Sequence, residues 1–323
     1  MTARLAIGLC TFNRGPAIIP TLDAIGALDD PHGRLASCVI VDNNSTDSTA
    51  QTVRDYIAAW DAAHPDRAGF FRLAFEPIQG QGEARRRFVE STTEPLLAFL
   101  DDDVLPSRGW ALAMLAAMDA DPKVGAAGGR VALKFESDPT WWALRHAPAL
   151  AAQDFGATRT LDNPRDCLVG AAITLRRAAL DDSRWLHNRL MGGRAAGGLA
   201  SGDDHELCIR IRRAGWKILY VGASKADSTV LHCIPARRTT RTYLLRLLRG
   251  ISEADPWLDW IAAGEPQGDQ GLAWLTPRLA RAKKKLARTR LLEWRPRRRA
   301  RRLAEREGRL EGLRKLEARL RAS

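Results

Sequence analysis

Four short apolar segments, each followed at once by polar residues, constrain this chain more than any other feature. Arg4 to Cys10, Leu35 to Val41, Phe70 to Phe75 and Pro95 to Leu100 read as buried strands, and the stretches after Asp47 and Gln79 carry apolar residues at helical spacing. Strands alternating with helices are the signature of an α/β fold with a doubly wound, mostly parallel sheet. In such sheets ligands lie outside the carboxyl ends of the strands. Chemistry is therefore expected in the residues that follow them: TFNR, DNNSTD, IQGQGEARR and DDD.

Further along, Ser107 to Asp121 reads as a helix capped at Ser107, Lys123 to Leu133 as one strand and Leu168 to Leu175 as another. The glycine-rich run MGGRAAGGLASG predicts a mobile or tightly turning loop. A helix over Asp203 to Ala214 and strands over Trp216 to Val221 and Thr229 to Cys233 follow. Beyond Thr239 the pattern is helical, punctuated by Trp257, Trp260 and Trp274 and broken at Pro296. Three regions are expected: a main domain over 1–238, a helical extension over 239–277 and a basic helical tail over 278–323.

With 323 residues the chain buries a core without disulfides. The net charge of +12 belongs to the tail, where 19 Lys and Arg from Arg278 onward face 5 Glu, leaving 31 basic and 33 acidic residues before it. A nearly neutral main domain argues against specific nucleic-acid binding, which needs a basic surface. Five scattered cysteines without a CxxC pair predict reduced thiols in a cytoplasm and no zinc site. The longest apolar run, Ala111 to Met118, falls far short of the roughly 18 to 20 residues of a membrane span, and no signal-peptide pattern opens the chain.

Asp42 closes a strand where it can accept hydrogen bonds from a base or ribose, although any capped strand-to-helix turn uses such residues. Three consecutive carboxylates, Asp101, Asp102 and Asp103, are costly at the end of a buried strand unless a cation joins them. A divalent metal held by one or two carboxylates and substrate phosphates fits, with Asp102 turned to water or capping a turn. Asp203 and Glu206 match a capping-box spacing at a helix N-terminus. That leaves Asp204 as a spare carboxylate suited to a general base. His232, at the end of an apolar strand, is by itself an ordinary core histidine.

Taken in order, IGLCTFNR, VIVDNNSTD, GQGEARRR, LAFLDDDV, VGAAITLRRAAL, SGDDHELCIRIRRAGWKI and VLH resemble the family 2 glycosyltransferases of the GT-A fold over about residues 4 to 240. The resemblance implies that Thr11 and Phe12 border the nucleotide base, that Asp42 hydrogen-bonds it and that Arg85 approaches the nucleotide. It implies that Asp101 faces the ribose or donor sugar, with Asp102 beside it in the donor site. Asp103 would bind a divalent metal, Mg²⁺ or Mn²⁺, and His232 would add a ligand. Gly170 and Ala171 would line the sugar pocket, Gly202 and Asp203 the acceptor loop, and Asp204 would be the base.

The chain departs from the family pattern at Arg86, often Asn, and at Asp203-Asp204, often Glu-Asp. The QxxRW motif of processive synthases is missing, so single-sugar transfer is expected. The implied reaction is an inverting transfer from a nucleotide-diphosphate sugar, UDP-linked in the first instance, to a hydroxyl on a glycan, lipid or other glycoconjugate. Rival readings are a sugar-nucleotide nucleotidyltransferase and a non-catalytic scaffold binding RNA or membrane through its tail. Leu303, Leu310, Leu313, Leu316 and Leu320 share one face of that tail. This face suits an anionic lipid surface, which would make the protein peripheral at the inner face of the plasma membrane, or a partner subunit in a homo-oligomer, and the plain alternative is a solvated charged helix. Deleting the tail is expected to leave a folded domain.

Overall fold

The computed structural model describes residues 3–191, 201–222 and 228–322. The glycine-rich run therefore lies mostly outside the described residues. The chain opens with β1 (Leu5–Thr11), α1 (Ile19–Gly26), β2 (Leu35–Asp42), α2 (Thr49–Ala63), β3 (Phe71–Phe75), α3 (Gln81–Glu90) and β4 (Leu96–Asp101). It continues through β5 (Val104–Pro106), α4 (Trp110–Ala120), β6 (Val124–Gly128), β7 (Val131–Phe135), α5 (Trp141–Arg145), β8 (Arg159–Thr160), β9 (Ala172–Arg176), α6 (Arg177–Ser183) and α7 (Trp185–Asn188). The last part holds α8 (Asp203–Arg213), β10 (Lys217–Tyr220), β11 (Val230–Ile234), α9 (Arg241–Ala262), α10 (Gly268–Leu292) and α11 (Pro296–Ala322).

Eight strands form the main sheet in the order β3-β2-β1-β4-β9-β6-β10-β8, and β5-β11-β7 form a smaller one. The first four are parallel, while β9 runs antiparallel to both β4 and β6. Alternation along the strands sends side chains to opposite faces. Ile7, Leu9, Ile40, Ala98 and Leu100 pack on one face with Leu22, Trp110 and Met114. Ala6, Val39, Val41 and Phe99 pack on the other with Phe88, Leu207 and Ile211. Both faces are covered, which is why these strands read as near-continuous apolar runs.

Register sets the site. Thr11 pairs with Asp42 and Cys10 with Asp101, so the carboxyl ends of β1, β2 and β4 share one edge. The start of the antiparallel β9 meets that edge: Leu100 pairs with Ala172, and the Asp101 N–H donates to the Ala171 carbonyl at 3.1 Å.

Three expectations need correction. The strand expected over 123–133 is two, β6 in the main sheet and β7 in the small one, because the chain leaves the sheet at Gly129. A Cβ there would stand 2.3 Å from the Ser228 carbonyl oxygen. Helix α4 begins at Trp110 behind Gly109, and Ser107 instead accepts the Trp110 N–H through its backbone carbonyl at 2.9 Å.

The third concerns the tail. Helix α10 runs unbroken through the boundary expected at 278, and α11 folds back against α9 and α10. Leu310, Leu313, Leu316 and Leu320 are buried with Leu275, Leu279, Leu286, Trp260, Ile261 and, from the main domain, Ile209. The leucine face is therefore internal. Trp257 and Trp274 pack against the same cluster, and the buried Trp260 donates its indole N–H to the Pro266 carbonyl at 2.9 Å. Contact between α9 and α11 is backbone-close, since Cβ atoms on Gly308 and Gly312 would lie 2.1 and 2.0 Å from the carbonyl oxygens of Arg249 and Glu253. Gly312→Val is expected to destabilise the chain by at least about 1–3 kcal/mol in urea unfolding, the scale of overpacking. Ending the chain before Arg278 is expected to lower the melting temperature and yield an aggregating product, since it exposes Trp260 and Ile261.

Candidate active site

The loops after β1 and β2 are tied to each other before any ligand is considered. Asn13, at φ 50°, accepts the Thr46 N–H at 2.8 Å, and its own N–H donates to the Ser45 hydroxyl at 3.0 Å. Asp42 is buried and accepts the Ser45 N–H at 3.1 Å. The buried Asn43 side chain accepts the Gly80 N–H at 2.7 Å and donates to the Ile78 carbonyl at 2.6 Å, anchoring the segment that leads into α3. Phe75, opposite Asp42 in the register, is exposed, and Phe12 is half-buried.

At the end of β4 the three carboxylates turn three ways. Asp101 accepts from the Gln81 side chain at 3.0 Å and lies 3.7 Å from Arg85. Asp102 accepts from the buried Thr11 hydroxyl at 2.7 Å and pairs with Arg14 at 3.1 Å, so it neither points to water nor caps a turn. Burial nonetheless holds its carboxyl above the ordinary range, against the Arg14 charge.

Asp103 is buried, with Arg238 at 3.0 Å, His232 at 3.2 Å and Arg14 at 3.5 Å. Burial alone would raise its carboxyl, but His232, then Arg238 and Arg14, hold it well below the usual range. The protein's own arginines thus supply cations to the acidic triplet.

His232 gives a test of whether a metal fits. Its Nδ1 donates to the Leu150 carbonyl at 3.0 Å, so Nε2 is the nitrogen that faces Asp103, with a proton when the ring is charged and a lone pair when it is neutral. That buried Nε2 has no hydrogen-bond partner although an Asp103 oxygen lies 3.2 Å away. With the ring neutral, a histidine whose far nitrogen is fixed by a carbonyl and whose near nitrogen lies beside a carboxylate fits a metal. Among the described residues no group of three or more His, Cys, Asp or Glu side chains is arranged around one metal position. The remaining ligands would have to come from donor phosphates.

The base candidate sits on the other side of Asp101. Gly202, at φ 104°, turns the chain into α8 beneath Ala254 and Leu258 of α9. Asp203 is not a cap. It is buried and accepts from Arg85 Nη1 at 2.6 Å, while Arg85 Nη2 donates to the Gly170 carbonyl at 2.9 Å. Glu206 is likewise engaged elsewhere, with the N–H groups of Leu190 and Met191 and with Arg210.

Asp204 faces a cleft of about 320 Å³ lined also by Asp101, Arg85, Gly170, Ala171 and an apolar stripe of α9. One oxygen accepts the Gly170 N–H at 3.0 Å; the other accepts the His205 N–H at 2.8 Å and faces His205 Nδ1 at 3.2 Å. Burial opposes its charge, but His205 and the Gly170 N–H hold its carboxyl well below the usual range. On its far side His205 meets the Cys167 sulfur at 2.9 Å. Gly170 must lack a side chain: a Cβ would lie 2.9 Å from Arg85 Nη2 and 3.2 Å from the Asp204 Cβ.

The expected residues therefore form two groups along one sheet edge. Thr11, Asp102, Asp103 and His232 make one, and Arg85, Asp101, Gly170, Asp203 and Asp204 the other. Sequence reasoning misses Arg14, Arg238, Gln81, His205 and Cys167. Arg14, Gln81 and His205 lie inside quoted motifs, whereas Arg238 and Cys167 carry no local signal.

Fold and edge together define a GT-A-type α/β fold. The model of the family "Glycosyl transferase family 2" matches residues 6–184, and the chain belongs to that family. A pre-mycofactocin glycosyltransferase of Mycobacterium tuberculosis is 28% identical over 145 residues, 44% of this chain and 28% of that protein. The chain thus aligns with under a third of that relative's length. Among solved structures, the mannosyltransferase PcManGT of Pyrobaculum calidifontis, in complex with GDP-Man and Mn²⁺, superposes with a TM-score of 0.54 at 22% identity, covering 97% of this chain and 86% of that one. GalNAc-T7 with UDP, GalNAc and Mn²⁺ gives 0.55 at 15% identity, covering 77% and 48%.

Arg85→Met is expected to cost about 3–5 kcal/mol in urea unfolding, because it strands the buried Asp203 charge. Adding Asp203→Asn should recover part of that loss, and a double-mutant cycle measures how much.

Proposed function

We propose that the chain transfers one sugar, with inversion, from a UDP- or GDP-linked donor to an acceptor hydroxyl. The observation that carries this reading is Asp204: an ionised carboxylate on the cleft, oriented through both oxygens, next to an acid already neutralised by Arg85. In the reaction the acceptor oxygen gives its proton to Asp204 and bonds to the anomeric carbon. The bond from that carbon to the diphosphate oxygen breaks, and its electron pair leaves with the nucleoside diphosphate.

Thr11, Phe12 and Asp42 are assigned to the base and ribose end, where the exposed Phe75 adds an apolar surface. Asp101, Gly170 and Ala171 are assigned to the donor sugar, and Gly202 and Asp203 to the acceptor side. Asp103 and His232 would hold a divalent cation, which when bound neutralises charge on the leaving diphosphate. The ligands of the two structural neighbours, GDP-Man or UDP with Mn²⁺, support that donor class.

The test is a panel of UDP- and GDP-sugars with Mn²⁺, read by thermal shift and by nucleoside diphosphate release. Asp204→Asn is expected to keep donor binding and lose turnover by about two to four orders of magnitude; turnover within a few-fold of wild type would remove it as the base. Asp103→Ala or EDTA should instead weaken donor binding itself in calorimetry. Because His205 helps hold the Asp204 carboxyl low, and the base works ionised, His205→Ala is expected to move the acid limb of the kcat/KM profile to higher pH.

A further inference from the structure

Away from the cleft, two segments expose large apolar side chains. Between α10 and α11, Leu291, Leu292 and Trp294 are 82%, 65% and 78% exposed, and on α5 Trp141 and Leu144 are 52% and 56% exposed. The Arg297 guanidinium at the start of α11 lies 5.7 Å from the centre of the Trp141 ring, so the two segments adjoin. Single exposed apolar residues are ordinary, whereas a cluster marks an interaction surface.

The charge at the turn between α10 and α11 is predominantly basic, while the acids Glu136 and Asp138 lie exposed ahead of α5. From Arg288 to Arg302 the chain carries eight arginines and one acid, Glu293, which is taken by Arg302 at 2.5 Å and Arg298 at 3.7 Å. Arg295, Arg297 and Arg299 are exposed beside Trp294. An exposed tip of tryptophan and leucine ringed by arginine matches the depth profile of a bilayer interface: indole and leucine at the acyl boundary, guanidinium among the headgroups.

We infer that the turn between α10 and α11, together with α5, docks on an anionic lipid bilayer. A nucleic acid would satisfy the arginines but leave Leu291 and Leu292 in water, since its backbone offers phosphates and no apolar layer. The α11 leucines take no part, being buried inside the chain. The chain leads from α5 within a few residues to Pro148 and Ala149, which line the cleft. This surface stands independently of the sugar-transfer reading.

The test is sedimentation of the full chain with vesicles of phosphatidylcholine alone and of phosphatidylcholine mixed with phosphatidylglycerol, at low and moderate salt. Wild type is expected to sediment more strongly with the anionic vesicles than with phosphatidylcholine alone, most of all at low salt. Leu291→Ser with Leu292→Ser and Trp294→Ser should weaken binding about tenfold or more at moderate salt, where screening leaves the apolar part dominant. Arg297→Gln with Arg298→Gln and Arg299→Gln should weaken it on the order of a hundredfold at low salt. All six side chains are exposed or surface-paired, so melting temperatures report that the variants fold. Wild type that ignores phosphatidylglycerol, or an apolar variant that binds as tightly as wild type, overturns the inference. So does duplex DNA that displaces the vesicles and binds the apolar variant undiminished.

Discussion

One buried guanidinium fixes the geometry on which the cleft depends. Arg85 sits on α3 beneath the sheet edge, 5.1 Å from the centre of the Phe99 ring, and reaches Asp203 at the start of α8, the Gly170 carbonyl before β9, and Asp101 at the end of β4. A charge at that depth is tolerable only if paired and hydrogen-bonded. The pairing locks four elements to one another. It also divides labour within Asp203-Asp204: the first acid compensates Arg85, so the second can stay ionised and face the cleft. Gly170 serves both, giving its carbonyl to Arg85 and its N–H to Asp204.

A second cluster answers the same electrostatic problem differently. The chain turns at Asp102 and Asp103 between β4 and β5, so the three consecutive aspartates reach different partners, with Arg14 shared by the last two. Asp101 turns to α3, Asp102 to the loop after β1, and Asp103 to β11 and the turn that follows it. Beside Asp103, His232 Nε2 is left without a hydrogen bond among the described residues, and this is the position proposed for a metal.

Much of this is readable in the sequence because it is local. Strands buried on both faces announce themselves as apolar runs, and the acids that follow them are contiguous with them in sequence. Asp101 to Asp103 and Asp203-Asp204 need no tertiary knowledge to be singled out. Arg238 and Cys167 do: each is 38 or more residues from its partner, and nothing local distinguishes it from surface or core filler. The capping-box reading of Asp203 and Glu206 fails for the same reason, because Arg85, 118 residues away, outcompetes a local N–H for the carboxylate. The break between β6 and β7 depends on a backbone approach at Gly129 that composition does not record.

The tail shows how charge and burial can be confused when only a sequence is in view. Nineteen basic residues from Arg278 onward suggest a solvated or lipid-bound helix, yet a helix needs only a narrow apolar stripe to pack, and α11 supplies one with Leu310, Leu313, Leu316 and Leu320. Gly308 and Gly312 then let α9 and α11 approach closely enough for that stripe to reach Trp260 and Ile261. Net charge describes what the surface attracts and says nothing about which face is buried. Because the leucines turn inward, the arginines are left on the outer face. Among the described residues, the large exposed apolar side chains they surround are those at the turn between α10 and α11 and on α5.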